Sequence, residues 1–133
     1  MISYDDFKKV EIRAGKILSA EKIPDTDKLL KLSVDFGETK EVAPIVVEGD
    51  AVSTDAPISV KVPALRQIVS GISMHFPDPA VLVGKTCMFV ANLEPRTIRG
   101  FESNGMIFAV STPEGGFSLL EPNATIPPGT KAA

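Results

Sequence analysis

The clearest pattern in the chain is a strict alternation of apolar and polar residues that starts at residue 30. Its apolar members are Leu30, Leu32, Val34 and Phe36, each separated from the next by one polar residue. Successive side chains of a β-strand point to opposite faces, so this period of two predicts a strand with one buried face and one face in water. Gly37 and Glu38 follow, and we expect the strand to end there.

Four other segments have the composition of strands, at residues 11–20, 66–72, 86–91 and 106–110. Gly15 interrupts the first of them. Because glycine weakens an ordinary strand ladder, we expect a β-bulge or a sharp bend at this position. Together with the alternating segment, these stretches predict an all-β protein of five strands.

Short helices are predicted at two places. Ser3 and Asp6 have the spacing of a capping box, which indicates a short N-terminal helix. Residues 77–85 begin with Pro77 and carry Gly84 near their end, the usual start and stop signals of a helix. We therefore expect a second short helix between the third and fourth strands.

The order of these elements is that of an OB-fold, a five-stranded barrel with a short helix between strands 3 and 4. From Phe117 to Gly129, apolar groups alternate with turn residues, which predicts a C-terminal hairpin or docked extension and a surface for dimerisation. An SH3-like barrel is also compatible with the strand spacing. With 133 residues, 44% of them hydrophobic, the chain has the size of one domain with a core of its own.

Residues 39–64 differ from the rest of the chain in composition. They hold three of the prolines, which suit edge strands because each removes a donor from a ladder. Two lysines and four acidic residues give this segment a net charge of −2, out of −3 for the whole chain. The segment is predicted to be an acidic hairpin inserted in the single domain of residues 1–133.

Composition and motifs exclude several functions. With one cysteine, Cys87, and one histidine, the chain has neither a zinc-binding set nor a Cys/His catalytic pair. It has no nucleotide-binding glycine motif, so we expect no enzyme activity, no cofactor and no metal. No apolar stretch approaches the roughly 20 residues of a membrane span, and the start does not resemble a signal peptide. We expect a cytoplasmic protein without membrane contact.

The segment of residues 93–106 has the chemistry of a nucleic-acid-binding loop. Arg96 and Arg99 carry forked donors that can hold a phosphate or stack on an unpaired base. Three neighbours with polar groups that could read base edges or a ribose hydroxyl are Asn92, Ser103 and Asn104. The alternative is a solvated turn in which the arginines pair with Glu94 and Glu102.

Basic residues outside this loop could extend the surface. Arg66 stands at the start of a predicted strand, and Lys16, Lys28 and Lys31 could continue a basic track across one barrel face. The alternative for each is an ordinary exposed residue that serves solubility.

The chain resembles the tRNA-binding domain found at the C-terminus of many methionyl-tRNA synthetases and as a stand-alone bacterial tRNA-binding protein. The resemblance lies in blocks that occur in family order: VEIRAGKI (10–17), DKLLKL (27–32), RQIVSGI (66–72), LVGK (82–85), NLEPR (92–96) and ESNGM (102–106). These blocks cover most of the chain outside residues 39–64. Thr97 departs from the family pattern, since a lysine is common there, and so does Ile23, where histidine is frequent.

The resemblance implies an OB-fold, often dimeric, that binds tRNA with little sequence preference and catalyses nothing. Its partners would be tRNA and the catalytic part of methionyl-tRNA synthetase, in cis or in trans. The family's binding role falls on Lys16, Lys28, Arg66, Arg96, Ser103 and Met106, with Asn92, Arg99 and Asn104 as neighbours. A related chaperone branch shares the barrel, so a protein-binding or chaperone-like module is the alternative function.

Overall fold

The structure, a computed structural model, describes residues 1–42 and 60–132. Its centre is a curled antiparallel sheet formed by β1 (Ile12–Lys22), β2 (Leu30–Val42), β3 (Val60–Ser70), β4 (Thr86–Val90) and β7 (Met106–Ile107). The strand order in this sheet is β3-β2-β1-β4-β7. Two small hairpins complete the strands: β5 (Arg96–Ile98) with β6 (Phe101–Ser103), and β8 (Ala109–Ser111) with β9 (Phe117–Leu119). This all-β architecture confirms the predicted OB-like fold.

The free edge of β3 contacts the segment that joins β6 to β7, which brings the two ends of the curled sheet together. The amide of Asn104 donates to the carbonyl of Gln67 over 2.8 Å. The side-chain amide of Gln67 in turn donates to the carbonyl of Glu102 over 3.0 Å. These bonds position the segment before β7 against the outer strand of the sheet.

The core lies inside the curl and is made by alternate residues of the strands, as the period-two pattern predicted. The largest fully buried side chains are Phe89, Ile17, Leu30, Leu32, Ile68, Leu82, Val34 and Cys87. Phe36 and Phe89 meet edge to face, with ring centroids 5.2 Å apart. Burial raises the pKa of the Cys87 thiol to about 11, as expected for a sulfur that serves as a small apolar group.

Gly15 faces this core and lies in a regular stretch of the pairing between β1 and β4, so the predicted bulge is not at this residue. A Cβ at residue 15 would lie 2.6 Å from Val34 Cγ1 and under 3 Å from the rings of Phe36 and Phe89. The register shift of β1 instead falls between Ile17 and Ser19. Glycine is needed at residue 15 for space.

The strand that starts at Leu30 does not end at Gly37, because β2 continues to Val42. Its pairing with β3 shifts register between Asp35 and Thr39, and Gly37 has a φ of 74° inside this irregularity. A glycine thus marks a bulge within one strand and not a strand end. The outer parts of the predicted insertion, residues 39–42 and 60–64, are continuations of β2 and β3, while its centre lies outside the described residues.

Both predicted helices are present as short turns. α1 (Tyr4–Lys8) begins at Ser3, which forms a complete capping box with Asp6. Two 3-10 turns, Ser73–His75 and Pro79–Leu82, lie between β3 and β4 in place of one α-helix. In the part of the chain that the structure describes, no helix is long and apolar enough to cross a membrane.

The C-terminus forms both predicted features, a hairpin and a docked extension. After the hairpin of β8 and β9, the tail runs along β1, where the Ala14 amide donates to Thr130 over 2.9 Å and the Gly129 amide donates to Ala14 over 2.7 Å. Arg13 Nη1 also donates to the Gly129 carbonyl over 3.0 Å. The tail therefore occupies part of a strand edge that would otherwise be open.

Candidate nucleic-acid interface

The arginine segment forms a tight β-hairpin and not an open loop. β5 and β6 pair from Arg96 opposite Ser103 to Ile98 opposite Phe101. The two residues between them, Arg99 and Gly100, have φ values of 52° and 84°, which is typical of a two-residue type I′ turn. The hairpin presents one arginine at its base and one at its tip on a defined backbone.

Arg96 and Arg99 are both exposed at the surface. Within residues 1–42 and 60–132, neither guanidinium has an ion pair or a side-chain hydrogen bond. The alternative in which they pair with Glu94 and Glu102 is therefore not what the structure shows. Two solvated guanidiniums on a rigid hairpin can donate hydrogen bonds to phosphate oxygens without first breaking a contact among the described residues.

An open cleft of about 520 Å³ lies beneath the hairpin. Apolar side chains and two charged residues line it together with the backbone near β7: Val69, Leu93, Glu94, Arg96, Ile98, Ser103, Gly105 and Met106. Met106 is 48% exposed. The cleft thus joins Arg96, Ser103 and Met106, three of the residues to which the resemblance assigns a binding role.

Ser103 lines this cleft and is only 4% exposed. Its Oγ accepts a hydrogen bond from the Val69 amide over 3.0 Å and donates to the Gly105 carbonyl over 3.1 Å. Gly105 has a φ of 153°, and a Cβ there would lie 3.0 Å from the Val90 carbonyl oxygen. The hydroxyl of Ser103 therefore ties the segment before β7 to β3, and its one donor and one of its two acceptor sites are used within the chain.

Arg66 is also held within the protein. Its Nε and Nη2 donate to the two carboxylate oxygens of Glu38 over 2.7 and 2.8 Å, and its Nη1 donates to the carbonyl of Ala91. The guanidinium carbon lies 5.1 Å from the centre of the Phe36 ring. Nη1 also lies 3.5 Å from the carbonyl oxygen of Asn104. Arg66 connects β2, β3, the end of β4 and the segment before β7.

The contact between Arg66 and Glu38 changes the acidity of both groups. The hydrogen bond from Arg66 holds the pKa of the Glu38 carboxyl below its ordinary value of 4.5, and the same bond raises the pKa of the Arg66 guanidinium. A carboxylate that accepts two charge-assisted bonds is stabilised in its ionised form. Glu38 is therefore ionised at neutral pH and balances the charge of Arg66.

The two asparagines have backbone partners in the chain. Asn92 accepts from the Glu11 amide over 2.8 Å and donates to the Lys9 carbonyl, so it connects the end of β4 with the residues after α1. The side chain of Asn104 lies 3.5 Å from the Gln67 carbonyl oxygen. Both side-chain amides are therefore next to backbone groups of the chain.

Lys16 and Lys28 lie apart from the cleft. Lys16 is exposed in the middle of β1, opposite Asp35 and Thr86 of the neighbouring strands. Lys28 is exposed in the turn before β2, where its carbonyl accepts from the Ser73 amide, at the end of β2 remote from Glu38. They can only extend a surface, since the structure does not bring them to Arg96.

Two contacts of the structure were not predicted from the sequence. Lys31 Nζ lies 5.3 Å from the centre of the Phe101 ring and 3.4 Å from a carboxylate oxygen of Glu21, so the hairpin rests against the outer face of the sheet. Glu38 pairs with Arg66 across a strand ladder. The sequence signal for the contact of Lys31 was Phe101, an aromatic residue close to the arginines. The pairing of Glu38 with Arg66 had no such signal, because it depends on β2 continuing past Gly37.

Comparison with known proteins shows the family of the chain. A model of the family described as "Putative tRNA binding domain" matches residues 54–131, more than half of the chain. The chain belongs to this tRNA-binding domain family. The methionine–tRNA ligase of Enterococcus faecalis is 36% identical over 132 residues, which are 99% of the chain and 16% of the ligase. That of Methanoregula boonei is 44% identical over 131 residues, 98% of the chain and 15% of the ligase.

Two solved structures are similar to the chain in sequence and in fold. The methionyl-tRNA synthetase related protein of Pyrococcus horikoshii is 32% identical, with a TM-score of 0.76 over 100% of the chain and 98% of that protein. The CsaA chaperone protein of Picrophilus torridus is 25% identical, with a TM-score of 0.71 over the whole of both chains. The chain spans about a sixth of the length of the curated ligases, but nearly the whole of these two structures.

Proposed function

We propose that this tRNA-binding domain is non-catalytic and holds tRNA, largely without regard to its sequence, through the hairpin of β5 and β6. The observation that carries the proposal is the pair of solvated arginines, Arg96 and Arg99, on a rigid hairpin in a member of this family. Contacts to phosphates position a nucleic acid but carry no sequence information directly. Lys16 and Lys28 would add weaker contacts to the outside of a large RNA.

The remaining residues that the resemblance names receive a different role in this proposal. Arg66 and Ser103 position the segment before β7, and Asn92 and Asn104 anchor the neighbouring backbone. Each of these side chains already has partners inside the protein. A group of this kind contributes to binding by holding the contact residues in place, since using it directly would cost the bonds it now makes.

The synthetase relatives suggest the biological setting. We propose that the domain raises the affinity of methionyl-tRNA synthetase for tRNA, either as part of the same polypeptide or as a separate subunit, in the cytoplasm. A homodimer is part of the proposal. It is supported by the exposed apolar side chains of Tyr4 and Phe7, which lie beside the docked end of the tail at Lys131 and Ala132.

The proposal is tested by salt-titrated binding of total tRNA and of a DNA duplex of matched charge. We expect the domain to bind tRNA more tightly than the DNA duplex, with an affinity for tRNA that falls as salt rises because bound phosphates release counterions. Equal and weak binding to both nucleic acids would contradict the proposal.

A protein-binding or chaperone-like module is the second candidate, because the match to the Picrophilus torridus chaperone covers the whole of both chains. This candidate predicts that the domain binds an unfolded polypeptide with an affinity that tRNA does not alter. Competition between tRNA and the polypeptide would place both on one surface. Binding of tRNA alone would remove the second candidate.

A further inference from the structure

We propose that the cleft beneath the hairpin of β5 and β6 receives the base of one unpaired nucleotide while Arg96 holds an adjoining phosphate. The inference rests on the proposed function and makes it more specific, because it names the part of the RNA that this site takes. It assigns a separate task to Met106, which is to contact a base face. The argument uses the lining of the cleft, its charge and the surface that paired RNA presents.

The lining of the cleft is mostly apolar, and two of its residues are buried. Val69 is 5% exposed and Ser103 is 4% exposed, and the hydroxyl of Ser103 is already bonded to backbone groups on both sides. Met106 and Ile98 flank this surface. The cleft thus offers aliphatic and thioether contacts, and its buried lining offers few hydrogen bonds. Such a surface favours the flat face of an aromatic ring over a strongly hydrated group.

The two charged residues of the cleft have opposite signs, so a bound nucleotide would have one preferred orientation. Arg96 supplies a guanidinium without an internal partner among the described residues, and Glu94 supplies a carboxylate that repels phosphate. A phosphate is therefore expected to bind beside Arg96, and a nucleobase is expected to lie between Arg96 and Glu94. There the carboxylate of Glu94 can accept from an exocyclic amino group or a ring N–H of the base.

Paired RNA does not fit these features. In an A-form helix the base faces are stacked inside, and the accessible surface consists of phosphates, ribose hydroxyls and base edges. An apolar cleft beside an arginine would then be filled by water along a duplex. An unpaired nucleotide supplies both a base face and a phosphate, and proteins bind such bases on apolar, aromatic or arginine surfaces.

The test compares two RNA duplexes of the same paired sequence and without loops, one blunt and one with a short unpaired 3′ extension. We expect the extended RNA to bind the wild-type domain more tightly. Met106→Ala should weaken its binding by about five- to tenfold, the lower end of the range for base contacts, with an unchanged salt slope. The blunt RNA should bind both proteins equally. Met106→Leu, which keeps the apolar bulk of the side chain, should retain most of the affinity for the extended RNA.

Other outcomes would overturn the inference. Equal affinity of the wild-type domain for the two RNAs, or an equal loss for both RNAs in Met106→Ala, would show that the cleft does not take an unpaired base. Displacement of the extended RNA by an unfolded polypeptide, dependent on Met106, would assign the cleft to protein. The proposed function fails separately, if total tRNA does not bind at all.

Discussion

At the scale of single residues, the structure separates groups that contact solvent from groups that hold the backbone. Arg96 and Ser103 face each other in one hairpin, yet one is solvated and the other is buried with its hydroxyl bonded to two backbone groups. Their types were visible in the sequence, and their different roles were not. The burial of Ser103 depends on β3, which is more than 30 residues distant along the chain, so no local pattern could reveal it.

Gly15 provides a prediction at the residue scale. Gly15→Ala places a methyl group within 3 Å of the side chains of Val34, Phe36 and Phe89, which should lower the free energy of unfolding by about 1–3 kcal/mol. Gly71 is the matched control, because a Cβ there would have no neighbour within 4 Å. Chemical denaturation measures both variants. Equal stability of the two would show that the core adapts to the added methyl group.

At the scale of elements, the strands were predictable because a buried face imposes a period of two, and their exact ends were not. β2 runs through Gly37 to Val42 since the pairing with β3 resumes after a register shift. The arginine segment was predicted as a loop and is a hairpin with a turn at Arg99 and Gly100. The positive φ of Arg99 is determined by the strand pairing around the turn and by tertiary contacts. An arginine followed by glycine is only a weak sequence signal for such a turn.

The contact between Arg66 and Glu38 gives the prediction at this scale. Glu38→Gln removes the charge that pairs with Arg66, and we expect a loss of about 1 kcal/mol or less of unfolding free energy at neutral pH, because the pair is partly exposed. The pKa of Glu38 is lower in the folded protein than the ordinary value of 4.5. Its contribution is therefore complete above that value and is lost as the pH falls through the folded pKa. Denaturation curves from neutral to acidic pH should converge for the two proteins.

The same variant distinguishes the two roles of Arg66 in RNA binding. If Arg66 positions the segment before β7, Glu38→Gln should weaken tRNA binding slightly and leave its salt slope unchanged. If Arg66 contacts a phosphate, loss of the competing carboxylate should strengthen tRNA binding and steepen the slope. The second result would contradict the positioning role.

At the scale of the whole molecule, the fold was within reach of the sequence because five strand signals and a short helix occur in the order of an OB-fold. The family was within reach because six sequence blocks resemble it. The way the C-terminal tail docks was not. The tail crosses β2 where a Cβ on Gly129 would meet the Phe36 carbonyl oxygen at 2.2 Å, a contact between residues about 90 positions apart. The acidity of residues 39–64, most of the net charge, explains in sequence terms how a chain of charge −3 can belong to a tRNA-binding family.

The central claim is that the hairpin of β5 and β6 holds RNA phosphates, and the salt dependence of tRNA affinity tests it most directly. The variants are Arg96→Ala and Arg99→Asn, since asparagine keeps the positive φ of the turn while it removes the charge. Lys85→Gln is the control, because Lys85 is paired with Glu121 over 3.4 Å and precedes β4 at the end remote from the hairpin.

We expect Arg96→Ala to weaken tRNA binding and to lower the slope of log affinity against log salt by about 0.7–0.9. Arg99→Asn should have a similar effect, and Lys85→Gln should leave the slope unchanged. An affinity and a slope that stay at their wild-type values in Arg96→Ala would contradict the claim.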